Sequence, residues 1–391
     1  MNTGGEFDII VYGASGFTGR LVAEYLVERY GAGGDLKWAM AGRSLDKLAE
    51  IRDAIGAPAA TPLVEAHAED PASLKAMVAR TKAVITTVGP YQLYGEGLVA
   101  ACAEAGTDYL DLCGEPAWMR QMIDRYDAAA KASGARIVFS CGFDSIPFEL
   151  GVFFLEETAR AKLGGPVSRV KGRVRRMQGG FSGGTAASLK ATMAAAAKDP
   201  SIIALLRNPF ALTPGFEGPE QPHGMAPEFD PAVDAWVAPF IMAAINTRNV
   251  HRSNALMGHP YGTDFVYDEM LIAGPGEKGE ATAKAIAGAD LMGGDGGPKP
   301  GEGPSKAERD AGFYDVLFVG EAADGRSVRV AVGGTRDPGY GSTSRMISES
   351  AVCLIRDAAD ASGGVWTPGA AMGQRLIDRL VSNAGLTFTV E

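Results

Sequence analysis

Residues 7–21 read FDIIVYGASGFTGRL, and their reading sets the fold. Residues 7–12 form a short apolar run with Ile9, Ile10 and Val11 contiguous, the pattern of a strand buried on both faces. Residues 18–30 carry Leu21, Val22, Tyr25 and Leu26 at helical spacing. Between strand and helix lies Gly13, Ala14, Ser15, Gly16, Phe17, Thr18 and Gly19. This glycine loop stands where a dinucleotide fingerprint must stand, after a strand and at the opening of a helix. Gly13 allows the tight turn, Gly16 lets backbone approach a pyrophosphate, and Gly19 lets helix pack on strand. The helix N-terminus then offers unpaired N–H groups to the phosphates. A glycine-rich turn without a ligand is the competing reading, and the chain that follows weighs against it.

Strand-like runs recur at 36–41, 62–68, 83–88, 109–113 and 136–141, separated by helical patterns at 45–55, 73–80, 97–105 and 117–131. Six strands alternating with helices predict a doubly wound parallel α/β sheet of the Rossmann type over residues 1–147. After Pro147 the pattern changes. A linking helix is expected at 148–159, strands at 169–175 and 265–272, and an Ala-rich helix at 185–198. Residues 208–231 are dense in Pro and Gly and read as loop, as does 273–305. Runs at 315–321 and 327–332, with Asp324 and Gly325 at the turn, read as a hairpin. Residues 148–345 are thus expected to form an α+β domain with an antiparallel sheet. Helices at 348–359 and 369–381 and a last strand at 386–390 are expected to pack back on the first domain.

The second strand runs into Gly42, Arg43 and Ser44 with no acid before Asp46. An acid there would hold a ribose 2′-hydroxyl, whereas a guanidinium grips a 2′-phosphate with two hydrogen bonds, so the expected cofactor is NADP(H). A solvated Arg43 is the plain alternative. The carboxyl ends of later strands deliver Thr87, Val88, Gly89 and Pro90, then Cys113 and Gly114, then Gly142 and Phe143, to the same crevice. All eight are expected to line the cofactor. Tyr91 and Asp144 are the candidate proton donors, with Tyr94 beside the substrate; for the tyrosines, surface aromatics are the competing reading.

The bulk of the sequence excludes other classes. The chain has 391 residues and a formal charge of −10, which disfavours nucleic acid as a partner. Its four cysteines form no CxxC pair and its four histidines show no metal-ligand spacing, so a reducing compartment and no metal site are expected. No signal peptide and no apolar run of membrane-spanning length is visible, so the expected location is cytoplasmic, with peripheral membrane contact left open.

Taken together these segments resemble the saccharopine dehydrogenase-like oxidoreductases, nearest the bacterial branch that includes the mycobacterial trans-acting enoyl reductases. The resemblance rests on FDIIVYGASGFTGRL at 7–21, MAGRS at 40–44, TTVGPYQLYG at 86–95, GTDYLDLCGEP at 106–116 and CGFDSIP at 141–147. It continues through GGFSGGTAAS at 179–188, NTRNVHRSNAL at 246–256, PKPGEGPS at 298–305 and DPGYGSTS at 337–344. It implies an NADP-type Rossmann domain, an α+β domain used for substrate or homodimer contacts, and a 179–185 segment at the crevice mouth whose Ser182 and Gly183 meet substrate. The chain departs from the lipid-linked branch at 273–297, which is short, Gly-rich and polar; that argues against a membrane anchor or a long-chain lipid.

Three functions follow as expectations. The first is reduction of a C=C bond in an enoyl or related lipid substrate, with backbone N–H groups near Gly114 or Gly142 stabilising the thioester oxygen. The apolar stretch 236–245 then lines an acyl tunnel, a dimer interface or ordinary core. The second is C–N reduction of the saccharopine type, which needs fixed arginines; Arg173, Arg175 and Arg176 are the candidates, of which Arg173 and Arg175 share one strand face that otherwise reads as solvated. The third is a non-catalytic NADP(H)-binding protein, since no Lys–Tyr or His–Asp pair stands out.

Overall fold

The computed structural model describes residues 5–31, 33–180, 183–289 and 302–391, without side-chain detail at 183–187 and 189. The first half runs β1 Phe7–Tyr12, α1 Phe17–Tyr30, β2 Trp38–Gly42, α2 Leu45–Ala54, β3 Leu63–Glu65, α3 Pro71–Val78 and β4 Thr81–Thr86. It continues with α4 Tyr91–Tyr94, α5 Glu96–Ala105, β5 Asp108–Leu110, α6 Pro116–Ser133 and β6 Arg136–Val138. In the second half come α7 Ile146–Leu163, β7 Arg169–Gln178, α8 Gly183–Lys198, α9 Pro200–Arg207, β8 Glu228–Asp230, β9 Ala235–Pro239 and α10 Ala243–Leu256. Then follow β10 Val266–Gly274, α11 Gly276–Ala287, α12 Lys306–Ala311, β11 Phe313–Glu321 and β12 Ser327–Gly334. The chain ends with α13 Thr343–Arg356, β13 Gly364–Trp366, α14 Pro368–Arg379 and β14 Leu386–Val390.

The first sheet is parallel, in the order β13-β6-β5-β4-β1-β2-β3. The contiguous apolar run in β1 has the expected cause. Ile9 and Val11 enter one core with Val22, Leu26 and the α13 residues Met346 and Ile347; Phe7, Ile10 and Tyr12 enter another with Leu74, Leu98 and Met122. Strand order reverses between β1 and β4, which opens a crevice at their carboxyl ends. Six strands were expected here and a seventh is present. The three-residue β13 pairs with β6, a partner more than two hundred positions earlier that no local pattern announces.

The second sheet runs β14-β12-β11-β7-β10-β9-β8. It is mixed rather than wholly antiparallel, because β10 runs parallel to β7. Its apolar face packs on α7 without spare volume: a Cβ on Gly151 would stand 2.3 Å from the Phe318 ring. The hairpin falls at β11 and β12. The expected loop at 273–305 instead begins with the end of β10 and the helix α11, and only 302–305 of its remainder beyond 289 is described. The loop at 208–231 is interrupted only by β8.

The basic face of β7 is not solvated. Residues 230–232 cross it: Asp230 accepts from Arg173 Nε at 2.7 Å, and the Ala232 carbonyl accepts from Arg329. Arg173 is 1% exposed and also pairs with Asp268 at 2.8 Å. Those two carboxylates hold its guanidinium more firmly charged than usual, against the burial that opposes it. Arg175 is engaged by Asp315 and Glu391 at 2.8 and 2.7 Å. Arg173→Ala would remove the buried cation shared by two buried carboxylates, leaving Asp230 with Lys171 and Asp268 with Arg169. We expect a loss on the order of 3 kcal/mol in denaturant unfolding, and an unchanged midpoint would contradict this account.

The C-terminal elements join both sheets, with β14 completing the edge beside β12. α13 lies against α1, where Glu349 accepts hydrogen bonds from Tyr25 and Tyr30 at 2.6 and 2.7 Å and pairs with Arg379. Among the described residues no helix is long and apolar enough to cross a membrane.

Candidate functional site

The glycine loop is built as its residues dictate. Gly13 has φ +89°, and a Cβ there would stand 2.8 Å from Thr87 Oγ1. A Cβ on Gly19 would fall 2.1 Å from the Gly13 carbonyl oxygen, so α1 meets the loop at a distance only glycine permits. Gly16 and Ser15 are exposed, Phe17 and Thr18 half-buried, and Ala14 is buried with its N–H on the Ala41 carbonyl. No side chain caps α1 and no acid stands in its first turn, which leaves first-turn N–H groups for an anionic ligand. These features fit a dinucleotide pyrophosphate.

The end of β2 lies beside this loop: Ser15 Oγ is 3.6 Å from where a Cβ on Gly42 would stand. Arg43 is exposed. Burial pushes the Tyr12 phenol up to about 12, and the nearby Arg43 charge opposes that rise. Ser44 uses its hydroxyl to cap α2, accepting from Lys47 N–H at 3.3 Å. At the end of β4, Thr87 donates to the Gly13 carbonyl at 3.3 Å, so the two loops are tied together. Val88 and Pro90 are half-buried and Gly89 is exposed, with Ser188 of α8 close above it at 3.8 Å from the glycine's Cβ position.

The structure separates the two candidate acids. Tyr91 is buried; its hydroxyl donates to the Thr86 carbonyl at 3.3 Å and accepts from Leu112 N–H at 3.1 Å. Burial and the neighbouring acids push its phenol well above the ordinary range. It braces two loops and has no free proton to offer. Tyr94 sits exposed on the four-residue helix α4. Asp144 is half-buried, with Oδ2 3.5 Å from the Cβ position of Gly114, and Ile245 of α10 flanks the same glycine at 4.0 Å. Among the described residues it has neither an ion pair nor a hydrogen bond. Burial alone, with no opposing charge, pushes its carboxyl up to about 7.

Three of the expected cofactor contacts, Cys113, Gly142 and Phe143, lie in the core instead. Phe143 packs against Phe148 and Tyr314, and its N–H donates to Thr343 Oγ1 at 3.0 Å. A Cβ on buried Gly142 would stand 2.8 Å from Leu112. Cys113 is also fully buried, whereas Gly114 is exposed at the crevice. Gly183 opens α8, and Ser182 lies outside the described residues. The 236–245 stretch divides: Val237 and Ala238 are core of β9, Trp236 packs edge-on to Phe229, and Ile245 stands beside Gly114.

Two acids were given no role by sequence reasoning. Asp111 is fully buried and accepts from Cys113 and Ser140 N–H at 3.0 and 2.9 Å, joining the loops after β5 and β6; burial raises its carboxyl to about 7 despite these bonds. Glu115 accepts from Tyr91 and Gln92 N–H, each at 2.9 Å, holding α4 in place. The signal available was two acids interrupting an apolar strand exit, DLCGEP at 111–116.

Comparison with known proteins agrees with this architecture. Residues 9–138 match the family model of the saccharopine dehydrogenase NADP binding domain. A Mycobacterium tuberculosis protein provisionally named a trans-acting enoyl reductase is 41% identical over 415 residues, covering 96% of this chain and 95% of its own. The trans-acting enoyl reductase of Mycobacterium ulcerans is 37% identical over 404 residues and 96% of each chain. Among solved structures, saccharopine dehydrogenase (L-Glu forming) of Saccharomyces cerevisiae superposes with TM-score 0.55 at 13% identity over 98% of this chain and all of its own, a likeness of fold. The chain therefore belongs to the saccharopine dehydrogenase-like family of NADP-dependent oxidoreductases, in the branch that contains the mycobacterial trans-acting enoyl reductases.

Proposed function

We propose that this oxidoreductase reduces a C=C bond of an enoyl substrate and that Asp144 is the residue that holds the transferable proton. The observation that carries the reading is the half-buried Asp144 carboxyl beside exposed Gly114, without a partner among the described residues and raised to about 7 by burial. NADPH, when bound, would supply a hydride, one proton with two electrons, to the β-carbon of the acceptor. The loop residues Gly13 to Gly19 hold its pyrophosphate, Arg43 its 2′-phosphate, and Thr87 to Pro90 border the nicotinamide end. The Gly114 backbone, on the open side of the crevice, faces the acyl group. Asp144 then delivers a proton to the α-carbon and recovers one from solvent.

The names of the relatives support the enoyl reading. The saccharopine-type reading is weakened, because Arg173 and Arg175 are held by carboxylates of the protein, which leaves the exposed Arg176, over the Phe313 ring, as the one candidate of the three without an ion pair among the described residues. Residues 1–147 act as the cofactor domain and 148–345 as the substrate or homodimer domain. Four buried unpaired thiols support a reducing, cytoplasmic setting.

The test uses NADPH deuterated at the transferable position, incubated with fractionated extract from the protein's own source. Label on carbon of an acyl product supports enoyl reduction; label beside a secondary amine in the amino-acid fraction overturns it. Arg43→Glu is expected to weaken NADPH by about a hundredfold while changing NADH little, since a carboxylate replaces a bidentate phosphate grip. Equal affinities in mutant and wild type would contradict the assignment.

A further inference from the structure

Two stretches singled out in the sequence, 298–305 and 337–344, lead into elements that the dinucleotide crevice does not use. These elements, α12 and the start of α13, enclose a cavity of about 370 Å³ along the flank of α1, beginning one turn past Phe17. One wall is cationic. Arg345 is half-buried over the Tyr25 ring at 5.3 Å, and its closest carboxylate is the largely solvated Glu28 at 3.7 Å, beyond hydrogen-bond reach. Among the described residues none accepts a hydrogen bond from it. Arg309 is 8% exposed and uses one nitrogen on the Pro304 carbonyl at 2.6 Å. Arg336 shares Asp310 with Lys306. Leu21, Val27 and Ile55 form an apolar floor.

A guanidinium held out of bulk water with unused donors is unfavourable, and a planar donor fork matches the oxygens of an oxyanion. The volume is that of a small-molecule site. We propose that this cavity binds a small phosphorylated metabolite, its phosphate monoester seated against Arg345, Arg336 and Arg309 and its carbon body on Leu21, Val27 and Ile55. The four cations of the lining, Lys306, Arg309, Arg336 and Arg345, outnumber its three carboxylates, Glu24, Glu28 and Asp310, and the phosphate takes the place of the Glu28 contact at Arg345. This site is independent of the reaction assigned to Asp144.

Titration calorimetry on NADPH-saturated protein tests it, because saturation fills the cofactor's own phosphate contacts. Phenyl phosphate is expected to bind saturably, one per chain, more tightly than inorganic phosphate, and without releasing NADPH as followed by nicotinamide fluorescence. Arg345→Gln is expected to weaken it by about tenfold or more, the scale of one charge-assisted bidentate contact. If Arg345→Gln lowers thermal stability, Arg336→Gln, on the exposed rim, serves in its place with the same expectation. Absence of saturable binding, release of NADPH by the probe, or undiminished affinity in a stably folded variant would each overturn the proposal.

Discussion

Asp144→Asn is expected to lower turnover by about 10²–10⁴-fold, the usual contribution of a positioned acid, while leaving NADPH affinity close to wild type. The substitution keeps the shape of the side chain and removes its proton. The expectation follows from where the carboxyl sits. An ordinary aspartic acid is protonated in fewer than about one molecule in a thousand at neutral pH. Burial disfavours the carboxylate of Asp144, no cation opposes that effect, and its value rises to about 7. About half the molecules then hold a proton ready at pH 7. The sign of the pH dependence follows: the competent form is the acid, so turnover in the reductive direction declines as pH rises through about 7. That limb should vanish in the Asn variant. Initial rates with a trans-enoyl thioester, or with the acceptor found by deuterium labelling, measure both effects. Wild-type turnover and an unaltered pH profile in the variant would remove Asp144 from the mechanism.

Gly19→Ala should damage both stability and cofactor binding. Its added methyl would lie 2.1 Å from the Gly13 carbonyl oxygen, backbone against backbone, where no side-chain rotation relieves the clash. α1 must move off β1, and the first-turn N–H groups move with it. Overpacking of this kind costs about 1–3 kcal/mol or more, and we expect a fall in Tm with at least tenfold weaker NADPH binding. Gly16→Ala provides the contrast. Its Cβ would stand 3.3 Å from the same oxygen, a tight but tolerable contact, and would point into the space left for phosphate. That variant is expected to fold with little change in Tm and still bind NADPH poorly. If Gly19→Ala matched wild type in both measurements, the close approach of helix to loop would not be the constraint described here.

Local periodicity carried much of the architecture. A contiguous apolar run means a strand covered on both sides, and β1 is such a strand because its alternate residues enter two separate cores. Glycine spacing read correctly at Gly13 and Gly19 because a turn with positive φ and a close backbone contact involve residues only a few positions apart. The sequence by itself therefore determined the Rossmann half, its glycine loop, the absence of an acid at the end of β2, and the family. Tertiary structure decided what depends on distant partners. The alternation in β7 marked two faces correctly, but the basic one is buried and paired because distant segments bring Asp230, Asp268, Asp315 and Glu391 to it. The three-residue β13 is a strand because β6 offers it an edge. Tyr91 and Asp144 looked equivalent as proton donors. Leu112 and Thr86 occupy the hydroxyl of one, while the fold surrounds the other with a water-poor recess and no counter-charge. A residue's type and spacing are local, but whether its proton is free depends on groups the chain brings together from far apart.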